Sequence, residues 1–183
     1  MILYCLVENG VIKDGPRRLP ALWYGYDLAG LSEVERAALG WLPTNVVRGV
    51  GFSAPEVHGD RVTYALDVSG LKIKVSHDVY RDFLAAEAGE FSSSALGEPH
   101  LYRTELDARL DLLGAGVLGT SIDYSCRRAS DGVKASFTHT AAQMAQVLSE
   151  GAAWREWLVR RLNEKLAAIE AATTADAVLA ISF

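Results

Sequence analysis

Apolar and polar positions recur along this chain with two different periods, and the changes of period divide it. Leu3 to Val7 is an apolar run of strand length, followed by Glu8-Asn9-Gly10 and then Val11-Ile12-Lys13. Asn-Gly tolerates the positive φ that a two-residue hairpin turn needs, so this stretch predicts two paired strands. Asp14-Gly15-Pro16 is expected to end the pairing. Arg17 to Gly30 contains Trp23, Tyr24 and Tyr26 and reads as an ordered loop pinned by aromatics. Ser32 and Glu35 have capping-box spacing at the mouth of a short helix, with Leu31 placed to staple it. Val34, Ala38 and Leu39 form its predicted apolar face, and Gly40 ends it. Pro43 then disfavours a helical conformation at Leu42, so Trp41-Leu42-Pro43 leaves in an extended direction.

The clearest two-residue period lies between Val62 and Ser76. Val62, Tyr64, Leu66 and Val68 alternate with polar or small residues, Ser69-Gly70 offers a turn, and Leu71, Ile73 and Val75 alternate with Lys72, Lys74 and Ser76. That pattern predicts a hairpin with one buried face, its second strand an edge guarded by lysines. From Asp78 the period lengthens, and Val79, Phe83 and Ala86 predict a helix ending near Gly89. Ser92-Ser93-Ser94 and Gly97 mark residues 90–99 as a linker. Leu101, Leu106, Leu110 and Leu113 predict a helix with those leucines near one face.

Ile122, Tyr124 and Cys126 alternate, Asp131-Gly132 turns the chain, and Val133, Ala135 and Phe137 alternate on the return, giving a hairpin over 122–137. Thr140 and Gln143 cap a helix expected to reach Glu150, where Gly151 interrupts it. Trp154, Leu158, Leu162, Leu166 and Ile169 then form a stripe down a helix ending near Ala172, and Thr173-Thr174 caps a last short helix through Leu179. The expected fold class is α+β. A β-rich domain covers 1–89, a linker 90–99, and a mainly helical domain with one hairpin 100–183.

Half of the 183 residues are apolar, enough for a core and against wholesale disorder. The net charge of −5 argues against a general nucleic-acid binder, which displaces counterions with clustered Lys and Arg. No apolar run approaches the roughly 20 residues that span a bilayer, and Met1 to Val7 lacks the basic leader of a signal peptide. A cytosol-made protein without membrane insertion is expected.

Candidate chemistry is sparse. Gly114-Ala115-Gly116-Val117-Leu118-Gly119 matches the dinucleotide fingerprint GxGxxG. That fingerprint needs a strand before and a helix after, so that backbone N–H groups face a pyrophosphate. Here the periods run in the reverse order, which reads as a helix stop and connector. His58, His77, His100 and His139 form no i, i+4 pair and none neighbours a cysteine. No GxSxG elbow occurs. Catalytic residues, metal ligands and cofactors are therefore not assigned. Cys5 and Cys126 fall on predicted strands and read as small buried hydrophobes, their pairing open. Trp23, Tyr24 and Tyr26 are candidates for stacking on sugar rings or anchoring an interface, against packing of the loop on its own domain. Trp154, Leu158 and Leu162 read as core or as an oligomer seam, and Trp157 widens that face toward a hairpin or a partner subunit.

Two stretches also resemble a known family. Glu8-Asn9-Gly10-Val11, then Gly15-Pro16-Arg17-Arg18-Leu19-Pro20, then the capped helix ending Leu39-Gly40-Trp41-Leu42-Pro43, resemble the N-terminal segment of tailed-bacteriophage tail-fibre and fibre-associated proteins. The stretch from Asp131-Gly132 through Thr140-Ala141-Ala142-Gln143, Ile169-Glu170-Ala171-Ala172-Thr173-Thr174 and Ile181-Ser182-Phe183 is similar to an uncharacterised domain of the same proteins. Family members more often end Ile-x-Trp, so Phe183 is a departure that keeps an aromatic. The resemblance covers about half the chain and leaves Gly51 to Ser121 unmatched. It implies a non-enzymatic structural or assembly component of the tail-fibre region. The implied partners are phage tail proteins, with a homo-oligomer possible by analogy, and the implied location is the host cytoplasm during assembly or the virion tail. The alternative is a carbohydrate-binding receptor module using the loop aromatics.

Overall fold

A computed structural model describes residues 2–183; Met1, the first residue of the apolar start, lies outside them. The fold is α+β, with antiparallel hairpins and a long C-terminal helix. The chain forms two compact units. The first holds residues up to Val75 together with Ala172–Ala180, and the second holds Ser76–Ala171 with Ile181–Phe183.

The first unit is built on a five-stranded sheet. Strands β1 (Leu3–Glu8) and β2 (Val11–Arg17) form the expected hairpin around Asn9 and Gly10, both at positive φ. Asp14-Gly15-Pro16 does not end the pairing. The strands stay paired through two irregularities that shift the register, with Leu6 opposite Asp14 and Tyr4 opposite Arg17. The predicted loop contains a miniature hairpin, β3 (Leu22–Trp23) and β4 (Tyr26–Asp27). Helix α1 (Glu33–Ala38) has the full capping box: Ser32 N–H donates to Glu35 at 2.8 Å, and Glu35 N–H donates back to Ser32 Oγ. Val34, placed on its apolar face by period, is instead 81% exposed. Gly40 ends the helix at φ 85°, where a Cβ would meet the Val7 carbonyl oxygen at 2.6 Å.

Strand β5 (Trp41–Thr44) follows as expected, then β6 (Phe52–Val57) and β7 (Val62–Leu66). The sheet order is β2-β1-β5-β7-β6, antiparallel except for the β5–β7 contact at Thr44 and Val62. Both faces are covered. Cys5, Leu42, Val62 and Tyr64 form a cluster on one, and Tyr4, Leu6 and Trp41 gather Leu28, Trp23 and Leu31 on the other. The alternation of Tyr4/Cys5/Leu6 and Trp41/Leu42 produces this two-sided burial.

The second half of the predicted 62–76 hairpin is helical. Helix α2 (Val68–Glu87) starts where the Asp67 carboxylate accepts from Ser69 N–H at 3.0 Å and the Asp67 carbonyl accepts from Leu71 N–H. Leu71, Val75, Val79 and Phe83 are buried at four-residue spacing, whereas Ile73 is exposed. The period that decides this segment is the longer one, seen only over a longer window.

Residues 90–99 are not a linker. Strand β8 (Glu90–Ser93) pairs with β9 (His100–Arg103), and that pair is half of a second sheet, ordered β11-β10-β9-β8, with β10 (Ile122–Arg128) and β11 (Lys134–His139). The expected division at 90–99 therefore gives way to one between Val75 and Ser76. The helix predicted from Leu101 starts only at Leu106: α3 spans Leu106–Val117. Helix α4 (Ala141–Ala171) is continuous through Gly151, because that position faces a ring: a Cβ there would meet Phe91 Cζ at 2.8 Å. The glycine is a packing residue in α4 and no stop. Helix α5 (Ala175–Leu179), capped by Thr174, belongs to the first unit.

In the second unit, α3 and α4 cover one face of the sheet. Phe91, Tyr102 and Cys126 meet Leu112 and Ala115 of α3 and Met144 and Val147 of α4. Among the described residues, no helix is long and apolar enough to cross a membrane.

Candidate protein-interaction surface

The four candidate interaction residues on α4 do not present a common outer face. Leu158 and Leu162 are buried, Trp154 is half-buried with its ring 6.0 Å from Phe91, and Trp157 alone is half exposed, with the Arg161 guanidinium over its ring. The stripe is therefore core, and the oligomer-seam alternative is not available to Leu158 or Leu162. In the first unit, Trp23 stands edge-on to buried Trp41 at 5.3 Å and belongs to the core periphery. Tyr24 and Tyr26 point outward, Tyr24 at 87% exposure and with φ 46°. An aromatic residue at positive φ costs backbone energy, and here it displays a ring at a hairpin tip.

The surface that sequence reasoning missed is on α3. Its buried side is Ala108, Leu112 and Ala115. Leu106, Leu110, Leu113 and Val117, one and two turns apart, form an opposite crest exposed at 68, 60, 54 and 85%. Small residues explain this orientation. Gly116 lies directly under Leu148 of α4, where any Cβ would overlap Leu148 Cδ1. The alanine–glycine side can approach α4 closely, so the bulky side is turned out. The GxGxxG match thus lies largely within α3, and of its glycines Gly116 serves helix packing.

Beside the crest, α3 and α4 enclose an apolar cleft of about 180 Å³ lined by Phe91, Leu112, Leu113, Leu148 and Trp154. Arg109 and Arg155 stand at its rim, both drawn to Glu87 at 3.4 and 3.0 Å. On the other flank, Asp107 and Asp111 edge a wider groove of about 530 Å³ toward Tyr124 and Lys134. The crest itself carries no charge.

Beneath α3 and α4 lies a row of buried polar groups. Nδ1 of His139 is 2.8 Å from the Phe137 carbonyl, which only accepts, so that nitrogen carries the proton. Nε2 then accepts from the Tyr102 hydroxyl at 2.8 Å. Burial pushes the His139 pKa down, opposed by the Phe137 hydrogen bond, with His100 adding to the lowering. Burial raises the Tyr102 and Cys126 pKa values. The residue types are those of a catalytic site, but His139, Tyr102, His100 and Cys126 are 0–3% exposed, and the Tyr102–His139 hydrogen bond ties β9 to β11. Cys5, bonded to the Tyr64 hydroxyl at 3.3 Å, and Cys126 are both free thiols.

A groove of about 910 Å³ lies in the first unit between α1, β5 and the β6–β7 turn. Asp60 at its edge is tied to Arg61 at 2.7 Å. Among the described residues, no group of three or more His, Cys, Asp or Glu is placed to hold a metal ion. No protein-family model matches this chain, and no curated protein or solved structure is significantly similar to it.

Proposed function

We propose that this chain is a non-enzymatic assembly protein that works through protein–protein contacts, and that its setting is the tail-fibre or distal tail region of a tailed bacteriophage. The observation that carries the first part is the uncharged leucine crest of α3, left in water by a helix whose other side is already packed. Helix α3 is apolar on two opposite sides, and a contiguous exposed apolar patch marks an interaction site. The adjoining 180 Å³ cleft has room for one aliphatic or aromatic anchor of a partner. The tail setting rests on the resemblance of residues 8–43 and 131–183 to fibre-associated proteins.

Co-expression with the fibre protein encoded in the same genome tests the reading. Co-elution of the two, weakened by Leu110→Glu, is the expected result. No complex, together with absence from purified virions by mass spectrometry and normal fibre assembly without the protein, would overturn it.

Tyr24 favours a second reading, a carbohydrate-binding module, since it presents a largely exposed ring, in edge contact with Trp23, at a hairpin tip. Glycan-array binding lost in Tyr24→Ala supports that reading, and a blank array for the wild type removes it.

A further inference from the structure

We infer that the α3 crest is covered by the same crest of a second copy of this chain, making a two-fold symmetric dimer; the inference rests on the reading of α3 as a contact surface and names its occupant.

Three features select a second copy as the occupant. The crest residues recur at spacings of 4, 3 and 4, which is the seam of two helices packed knobs-into-holes. That seam is self-complementary when reversed. In an antiparallel pair, Leu110 meets Leu113 of the other copy and Leu106 meets Val117, so every exposed crest residue finds an apolar partner and none is left over. The flanks fit the same register. Asp107 falls opposite Gly114 of the second copy and Arg109 opposite Gly116, so no like charges meet. A Cβ on Gly114 would have open space around it, which leaves room for an incoming backbone. Arg109 is also drawn aside toward Glu87, away from the seam.

The area is sufficient. Two facing crests, with Leu118 at their edge, remove on the order of 1,000 Å² from water, the lower bound for a specific interface. A reversible dimer of modest affinity follows, one that concentration can assemble and a tighter contact can displace.

Sedimentation velocity of the full chain from about 1 to about 300 µM, with no other protein present, tests this. The expected result is a monomer–dimer equilibrium whose dissociation constant rises at least about 100-fold in Leu110→Glu/Leu113→Glu, because a carboxylate would be buried without a partner. Both positions are solvent-exposed in the single chain, so an unchanged circular dichroism spectrum and melting temperature are expected below the dimerisation range. If that double variant misfolds, Val117→Lys at the end of the crest gives the same reading. Val34→Glu, an equally exposed apolar position on α1, leaves the equilibrium unchanged. A wild type monomeric throughout overturns the inference, and so does a dimer indifferent to Leu110→Glu/Leu113→Glu and Val117→Lys. A dimer abolished by these changes, in a protein that binds no fibre component, sustains the inference and removes only the tail setting.

Discussion

In α3 one apolar stripe runs through Leu106, Leu110, Leu113 and Val117; in α4 another runs through Trp154, Leu158, Leu162, Leu166 and Ile169. The spacings are nearly the same, and both sets lie on well-formed helices. Yet Leu158, Leu162 and Ile169 are buried, while Leu106, Leu110 and Leu113 are in water. The back of α4 explains its half of the contrast: Glu156, Arg160 and Glu164 are charged and exposed, so the stripe turns inward. Helix α3 has apolar residues on both sides and must choose. It buries Ala108, Leu112 and Ala115 because they and Gly116 let it lie close on α4 and the sheet. A stripe identifies a helix face; only the competing face decides whether that stripe is core.

The contrast can be broken most directly at a pair of leucines. Leu158→Ala leaves a cavity in the core and should cost about 2–5 kcal/mol, whereas Leu110→Ala should cost under about 0.5 kcal/mol in the monomer. Urea unfolding of both variants at low protein concentration checks this, and equal losses would erase the distinction between the stripes. The glycines offer a second comparison. Gly151→Ala drives a methyl into the Phe91 ring and should cost about 1–3 kcal/mol despite the better helix former. Gly114→Ala meets open space on α3 and should stabilise by about 0.5–1 kcal/mol. Opposite shifts in melting temperature are expected. A comparable effect is expected at the entrance to α4, where Thr140 N–H donates to Gln143 Oε1 at 2.8 Å and Gln143 N–H donates to Thr140 Oγ1. Thr140→Ala should lose about 1 kcal/mol, measured by the same unfolding curves.

The subtlest test concerns pH and the core beneath both helices. Burial holds the His139 pKa below its ordinary 6.5. Below that value the unfolded chain binds a proton that the folded chain resists. His139 therefore contributes stability that is intact above about pH 6.5 and declines as the pH falls from there toward its depressed folded value. The groups around it are Tyr102, Tyr124, His100 and Asp123. Melting temperatures between about pH 7.5 and 5.5 should fall less steeply in His139→Gln than in the wild type; parallel slopes would show that another group governs the acid limb.

Local chemistry was legible where it was self-contained. The Asn9-Gly10 hairpin, the Ser32 and Thr140 capping boxes, the Asp131-Gly132 turn and the Thr174 cap are each formed by residues within a few positions of one another. The misreadings have a common origin in windows that were too short. Leu71, Ile73 and Val75 alternate over five residues, but Leu71, Val75, Val79 and Phe83 set the helical face over thirteen. Glu90 to Ser93 has the polarity of a linker, and becomes a strand because β9 supplies a backbone partner. Of the candidate interaction residues, Tyr24, Tyr26 and Trp157 remain at the surface, and Trp154, Leu158 and Leu162 do not share an exposed face.

By itself, then, the sequence determined the elements whose hydrogen-bond partners lie nearby, the α+β class, and which helix faces are apolar. Tertiary structure alone decided which apolar face is spent on the core. It also paired Tyr102 with His139 across 37 positions and gave Gly151 a ring to face. The reason is that periodicity reports what a residue avoids, which is water. What covers the residue depends on the volume and closeness of elements distant in sequence, and for α3 the smaller face fitted closest.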